Sequence, residues 1–395
     1  MKKIYMDYGA TTPAHEAVVA AMLPFFSKTF GNPSSLHAFG QEAKYAIETA
    51  RQKIALSIGA DPEEIVFTSG GSESDNFAVK GIAYASQEKG NHIITSSIEH
   101  HAVLDTCRFF EKHGFKVTRL PVDGDGFVDP QDVKQAITSR TILISIMHGN
   151  NEIGTIQPVA EIGNVAREHG IIFHTDAVQT LGHLPVNVDE LNVDLLSVSG
   201  HKIYGPKGVG ILYIRKGTSI QPLLHGGDQE KGRRASTHNV TGIVGLGKAV
   251  ELAVKDSGSE AERLTALRDR MIHGILDNIE YCRLNGHPNL RLPNNINISF
   301  KYVEGESLLL SLDMAGIACS TGSACMSLSL EPSHVIMAIG IPQETARGTL
   351  RFTLGRHTSE KEVDYVTEIL PGIVKKLRTM SASYKKKIQQ YAHGK

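Results

Sequence analysis

No uninterrupted apolar stretch in the 395-residue chain is long enough to span a bilayer, which excludes a bundle of membrane-crossing helices. Charge of one sign is missing too. Lys and Arg total 41 against 42 Asp and Glu, so a formal net charge of −1 gives no pull toward nucleic acid or an anionic membrane. Cysteine is scarce. Cys107, Cys282, Cys319 and Cys325 form no Cys-x-x-Cys pair, and 4 cysteines in a chain of this size are no disulfide framework. The 18 histidines are scattered without a His-x-x-x-His set, so no protein-bound zinc is expected. The start, Met1-Lys2-Lys3-Ile4-Tyr5-Met6-Asp7, has an early acid and no apolar signal core. That predicts no secretion and a cytoplasmic location. Without export the Asn297-Ile298-Ser299 glycosylation acceptor means nothing. Internal repeats and low-complexity segments are absent as well.

What is present is globular. Apolar residues make up 41% of the chain, and 395 residues exceed one ordinary core, so two domains are expected. From about residue 60 to 215 strand-like and helix-like segments alternate. Strands are predicted at 64–69, 92–96, 141–147, 170–174, 194–198 and 209–214, with helical stretches between them, such as 159–168. The run 141–147 is almost continuously apolar, as a strand covered on both faces would be. The alternation predicts an α/β fold whose large domain has a mostly parallel sheet flanked by helices. A long amphipathic helix follows over 259–279, where Leu264, Leu267, Met271 and Ile275 recur at helical spacing. It leads into a smaller α+β C-terminal domain that ends in a helix over 359–380. The expected boundaries are 15–257 for the large domain and 1–14 with 258–395 for the small one. The basic tail, 385–395, is expected to fray.

Ligands in such sheets bind beyond the carboxyl ends of the strands. Thr68, Ser69, Asn150, Asn151, Asp176 and Lys202 all fall at such ends. Lys202 sits in Ser199-Gly200-His201-Lys202, and Gly205-Pro206-Lys207-Gly208 constrains the loop on its far side. Asp176 closes another apolar run. A lysine and a carboxylate so placed are the layout of a pyridoxal phosphate (PLP) enzyme: the lysine forms a Schiff base and the carboxylate keeps the ring nitrogen protonated. A partly desolvated lysine also loses its proton more readily. Asp176 could instead cap the next helix. With a PLP ring present, Gln179 could reach the phenolic oxygen. Thr68-Ser69-Gly70-Gly71-Ser72-Glu73-Ser74 joins a strand to a helix, and its glycines and free N–H groups suit a phosphate. It also reads as an ordinary turn with a serine cap. Ser199 and His201 could donate to the same phosphate.

Cys325 closes Cys319-Ser320-Thr321-Gly322-Ser323-Ala324-Cys325, a small, polar run that reads as a mobile loop. A cysteine there is a poor packing residue and a good sulfur nucleophile. Cys319 and Cys107 read as structural. Arg351 shares a predicted strand face with Thr353, opposite Leu350, Phe352 and Leu354. It could grip an amino-acid carboxylate with two hydrogen bonds, or sit in a structural ion pair. His100 and His101 open a helix after the strand at Ile93.

With these residues in place the chain resembles the cysteine desulfurases, PLP enzymes of fold type I in the class V aminotransferase group, and of the type that feeds iron–sulfur assembly. The likeness runs from Tyr5-Met6-Asp7 and Ala10-Thr11-Thr12-Pro13 through Gly31-Asn32-Pro33-Ser34-Ser35 to Leu350-Arg351-Phe352 and Leu354-Gly355-Arg356. Asn150-Asn151-Glu152-Ile153-Gly154, the Ser-Gly-His-Lys loop and Gly322-Ser323-Ala324-Cys325 carry it most specifically. The resemblance implies roles. Lys202 would carry PLP and His100 would stack on the ring and move protons. Asp176, Gln179 and Asn151 would hold the ring; Gly71, Ser72, Ser199 and His201 would bind its phosphate. Thr237 matches a threonine that reaches the phosphate from the other subunit, which implies a homodimer. Asn32 and Arg351 would hold the carboxylate of L-cysteine, and Cys325 would accept its sulfur for an iron–sulfur scaffold or another acceptor. A selenocysteine lyase or another PLP lyase is the alternative enzyme; a sulfur-carrier protein whose catalysis has decayed is the alternative of another class. The chain departs from the family pattern at Tyr8-Gly9, at Ser72 in place of threonine, at Asp228 in place of glycine, and at Arg234-Ala235-Ser236-Thr237 in place of Arg-Ser-Gly-Thr.

Overall fold

The computed structural model describes residues 3–321, 332–382, 384 and 385. The chain opens with strand β1 (Ile4–Tyr5) and helices α1 (Glu16–Met22), α2 (Pro24–Ser27) and α3 (Ala38–Ser57). Then comes the alternating region: β2 (Ile65–Thr68), α4 (Gly71–Ala85), β3 (His92–Ser96), α5 (His101–Glu111), β4 (Lys116–Leu120), α6 (Pro130–Ala136), β5 (Thr141–Ser145), α7 (Val159–Glu168), β6 (Ile172–Asp176), β7 (Leu195–Ser199) and β8 (Gly210–Ile214). The last third holds α8 (Val240–Leu276), β9 (Cys282–Leu284), β10 (Asn295–Phe300), α9 (Gly305–Met314), β11 (Ile317–Ala318), α10 (His334–Ala338), α11 (Gln343–Ala346), β12 (Thr349–Thr353) and α12 (Glu360–Met380).

Strands β2 to β8 form one sheet in the order β2-β8-β7-β6-β5-β3-β4. It is parallel from β4 to β7, and β8 runs antiparallel to both its neighbours. Successive side chains of a strand point to opposite faces, and both faces are covered here. Ile94, Ile144, Phe173 and Leu196 enter one core, while Ile93, Leu143 and Leu195 enter another across the sheet. That double burial is why these strands read as apolar runs. β4, at the sheet edge, carries Lys116 and Arg119 outward and gave no such run.

A third core gathers Ile4 and Met6 with residues between Leu264 and Val374, around a β12-β10-β9 sheet and a β1-β11 pair. Helix α8 serves two cores: Ile243, Leu246 and Val250 enter the first, Leu264, Leu267, Met271 and Ile275 the third. The apolar stripe is as the sequence reading had it, but the helix starts at Val240, well before residue 259. Gly242, Gly245 and Gly247 look like helix breakers. Gly245 and Gly247 are contact surface instead: a Cβ at Gly247 would stand 2.7 Å from the Ala50 Cβ of α3. No helix among the described residues is long and apolar enough to cross a membrane.

Candidate active site

Ser199 ends β7, and a single 3-10 turn, Gly200–Lys202, redirects the chain. The Gly200 N–H donates to Val209 O at 3.0 Å, and the Gly205 N–H donates to Gly200 O at 2.9 Å. Tyr204 takes φ +62°, a costly value for a residue with a Cβ. Its N–H donates to Thr12 Oγ1 at 2.9 Å, and its hydroxyl accepts the Arg356 N–H at 2.7 Å. So held, Lys202 projects into a cavity of about 280 Å³. Its Nζ donates to Gly9 O at 2.6 Å and Ala10 O at 2.8 Å.

Asp176, at the end of β6, lines the same cavity. Its Oδ1 accepts the Val178 N–H at 2.8 Å. Burial raises this carboxyl above the usual range, against the Val178 N–H and the charge of Lys202. Asp75 of α4 is a second buried carboxyl on the wall, raised by its own burial and by Asp176. Two carboxyls in one dry wall resist ionising together. His174 lies behind them, 2.9 Å from Ser145 Oγ, 3.0 Å from Ser197 Oγ and 3.7 Å from Asp75 Oδ1. Burial lowers its pKa to about 3, which keeps it neutral.

His100 is the N-cap of α5: its Nδ1 accepts the Ala102 N–H at 3.1 Å, which leaves the proton of the neutral ring on Nε2. Burial, and then the charge of Lys202, lowers its pKa to about 4. Glu99 lies beside it, fully buried. Ser96 Oγ donates to Glu99 Oε1 at 2.5 Å, and the Met147 N–H donates to both carboxyl oxygens at 3.1 and 3.0 Å. Burial raises Glu99 to about 8.

Thr68 ends β2 and α4 begins at Gly71, with Gly70 between them at φ +151° and ψ −178°, a conformation open to glycine. The cap is this glycine and not a serine, and no side chain caps the helix. The first N–H groups of a helix have no partner within it. A hollow of about 340 Å³ lies against this end, lined by Gly71, Ser72, Ser199, His201 and Lys207 among others. Gly71, Ser72, Ser199 and His201 also line the main cavity. Burial, then Lys202 and Lys207, lowers the pKa of His201 to about 4.

Asn151, Gln179 and Arg351 complete the main wall. Arg351 is buried on β12, with Leu350, Phe352 and Leu354 turned into the third core. Its Nη2 donates to Asp7 Oδ1 and its Nη1 to Asn151 O, both at 2.9 Å. The Arg351 N–H donates to Ser320 O at 2.7 Å, so the segment that leads toward Cys325 is pinned to this strand. Cys325 itself lies outside the described residues. Where description resumes, Ser333 Oγ donates to Glu152 Oε2 at 2.5 Å, and His334 lines the cavity. Asn32 and Thr237 are not among the lining residues. Both are exposed, and Thr237 faces a separate hollow of about 200 Å³ beside Ser69 and Gly208. Cys107 and Cys319 are buried, and burial pushes each thiol up to about 12, far from a nucleophile's range. Cys282 lies in β9 and its Sγ donates to Ile279 O at 2.8 Å.

Sequence reasoning missed Asp75, Glu99 and His334. Asp75 had a signal: it falls on the apolar face of α4, with Ala78 and Val79 one turn on. Glu99 and His334 had none, because Met147, which meets Glu99, and the Glu99 carbonyl, which meets His334, come from distant parts of the chain.

These walls fit PLP. They offer an amine at Lys202, a buried carboxyl at Asp176 that a cationic ring nitrogen would offset, and an uncapped helix start for an anion. The comparisons agree with that fit. Residues 4–366 match the family model described as "Aminotransferase class-V". A "Cysteine desulfurase IscS" of Dictyoglomus turgidum is 60% identical over 96% of this chain and 96% of its own length. One from Methanosarcina thermophila is 59% identical over 96% of this chain and 94% of its own. Among solved structures, a "NIFS-LIKE PROTEIN" superposes with TM-score 0.90 at 38% identity, covering 95% of this chain and 100% of its own. "SspA in complex with cysteine" does so at 0.81 and 42%, covering 91% and 100%.

Proposed function

The chain belongs to the class-V aminotransferase family and is a PLP-dependent cysteine desulfurase, and from that premise we propose which of its residues carry the reaction. When bound, PLP supplies an aldehyde that captures the substrate amine and a ring that draws electrons from its Cα. Lys202 holds the cofactor and, once released, takes the Cα proton of cysteine at Nζ. Asp176 fixes the ring nitrogen's proton, with Gln179 and Asn151 at the ring's edge. Gly71, Ser72, Ser199 and His201 bind the phosphate. Arg351, with Asn32, holds the substrate carboxylate. His100, held neutral by its burial, presents a proton on Nε2 and is the group placed to pass protons between substrate and leaving group. The Cys325 thiolate forms a bond to the substrate sulfur as the Cβ–S bond breaks. Protons then complete alanine, and the sulfur stays on Cys325 as a persulfide.

The observation that carries this reading is the placing of Lys202, Asp176 and His100 on one cavity of about 280 Å³. The flanks of residues 322–331 support the role of Cys325. Ser320 is bonded to Arg351, and the five residues from it to Cys325 reach at most about 18 Å. Cys325→Ser should keep the cofactor's visible absorbance and lose sulfide release; full activity in that variant would refute the sulfur-acceptor role. Lys202→Ala should lose the covalent attachment that borohydride traps.

Three further parts belong to the proposal. The protein is a homodimer that brings Thr237 to its partner's phosphate. The persulfide is passed to an iron–sulfur scaffold or a comparable acceptor. The domains are 15–257, with a core on each face of its sheet, and 1–14 with 258–395, around the third core; Ile98, Met147 and Ile153 of the first also pack against Val335 and Ile336 of the second.

A further inference from the structure

The hollow at the start of α4 contains an acidic side chain. Glu73 lines it beside Ser72 and His201, and its Oε2 accepts the Ser69 N–H at 2.7 Å. Burial pushes this carboxyl up, but Arg234 and Ser69 more than offset that and hold it below its usual range. It is therefore an anion in a hollow that is to receive an anion, and partial burial strengthens the repulsion. Arg234 opposes it. The Arg234 Nε donates to Glu73 Oε1 at 2.9 Å and its Nη2 to Oε2 at 3.3 Å, and the two side chains are 19% and 13% exposed.

Arg234 belongs to the loop between β8 and α8, and that loop is tied down from below. Glu230 accepts Arg51 Nη1 and Nη2 at 2.8 Å each and the Phe67 N–H at 3.0 Å. His238 Nε2 stands 2.6 Å from the same carboxylate. Glu230, Lys231 and Ser236 all have positive φ, at +49°, +58° and +98°. Costly backbone of this kind persists where the surroundings over-determine it. Three such residues fall in the loop that delivers a counter-charge to Glu73.

We propose that Arg234 is a positioning residue for the cofactor phosphate. It neutralises Glu73, keeps the Ser69–Gly70–Gly71–Ser72 turn receptive to a dianion, and is itself held by the Arg51, Glu230 and His238 cluster. The proposal rests on the reading that this hollow takes the phosphate of PLP, and it deepens that reading.

The test uses the full chain stripped of cofactor and titrated with PLP or with pyridoxal, which has no phosphate, and the melting temperature of each stripped variant is recorded beside it. Arg234→Gln should weaken PLP on the order of tenfold and leave pyridoxal within about twofold. Glu73→Gln with Arg234→Gln should recover most of the loss, because the uncompensated charge is gone. Arg234→Lys, which keeps the charge, should lose less than about threefold and guards against a folding defect. An unchanged PLP affinity in Arg234→Gln overturns the proposal alone, as does a double variant no better than the single one. If the unaltered chain binds pyridoxal as tightly as PLP and inorganic phosphate does not compete, the phosphate assignment fails and the proposal goes with it.

Discussion

Glu99 accepts two neutral donors, Ser96 Oγ and the Met147 N–H, in a position with no solvent access, and burial raises it to about 8 from an ordinary 4.5. The folded chain then binds more protons than the unfolded one between those values. Its contribution to stability is complete below about 4.5 and is lost as pH rises through about 8. His148 and His183, both lowered to about 4 by burial, have the opposite sign: their contribution is complete above 6.5 and is lost as pH falls through 4. Glu99→Gln should therefore flatten the decline of melting temperature between about pH 4.5 and 8. Equal slopes in the two proteins over that range would mean that Glu99 is ionised throughout. Nothing local in the sequence announces this residue. Ser96 ends β3 and Met147 follows β5, so the environment that shifts Glu99 exists only once those strands pair. Lys202 and Asp176 were legible because each follows its own apolar strand, and strand ends are where such sheets bind ligands.

Among the elements, helices with a clear stripe were the easiest to read. α7 lies at the residues its pattern gave, and α12 starts at Glu360 behind the Ser359–Glu362 capping box. Ser359→Ala should cost about 1 kcal/mol in urea denaturation, since it removes the Ser359 Oγ that accepts the Glu362 N–H at 3.4 Å. α8 extends further than its pattern gave because its glycines carry two meanings, breaker and close contact, and only the packed neighbours, Ala50 of α3 at Gly247 and Met22 of α1 at Gly245, decide between them. The loop after β8 makes the same point through two departures from the family's glycines. Asp228 sits at φ −81°, where any residue is at ease, while Ser236 sits at φ +98°, where a Cβ is costly. Ser236→Gly should raise the free energy of unfolding by about 1 kcal/mol. Asp228→Gly should give no such gain, because the flexibility it adds to the unfolded chain is not matched by any relief of strain. Urea curves of the two variants separate these cases, and a gain in the second without the first would reverse the assignment.

On the scale of the whole molecule, one stretch of surface fits the proposed homodimer. Between residues 23 and 45, Leu23, Phe26, Phe30, Leu36, Phe39 and Tyr45 are all more than half exposed, and the rings of Phe30 and Phe39 pack at 5.8 Å. Exposed apolar surface of that density marks an interface. Thr237 is exposed too, and lines a hollow that shares Ser69 and Gly208 with the one at the start of α4. In the proposed dimer that threonine would meet the partner's phosphate instead of its own. Phe39→Glu should therefore shift sedimentation from a dimer toward the 42.9 kDa chain and weaken PLP retention at the same time. Mixing chains decides which site Thr237 serves. Take Lys202→Ala and Thr237→Ala proteins, each deficient in holding PLP, and exchange their subunits. If Thr237 crosses the interface, a mixed dimer has one complete site, with Lys202 from the Thr237→Ala chain and Thr237 from the Lys202→Ala chain. Tight PLP should then return at up to one per mixed dimer. If Thr237 serves its own chain, every site in the mixture lacks one of the two groups, and mixing should restore nothing.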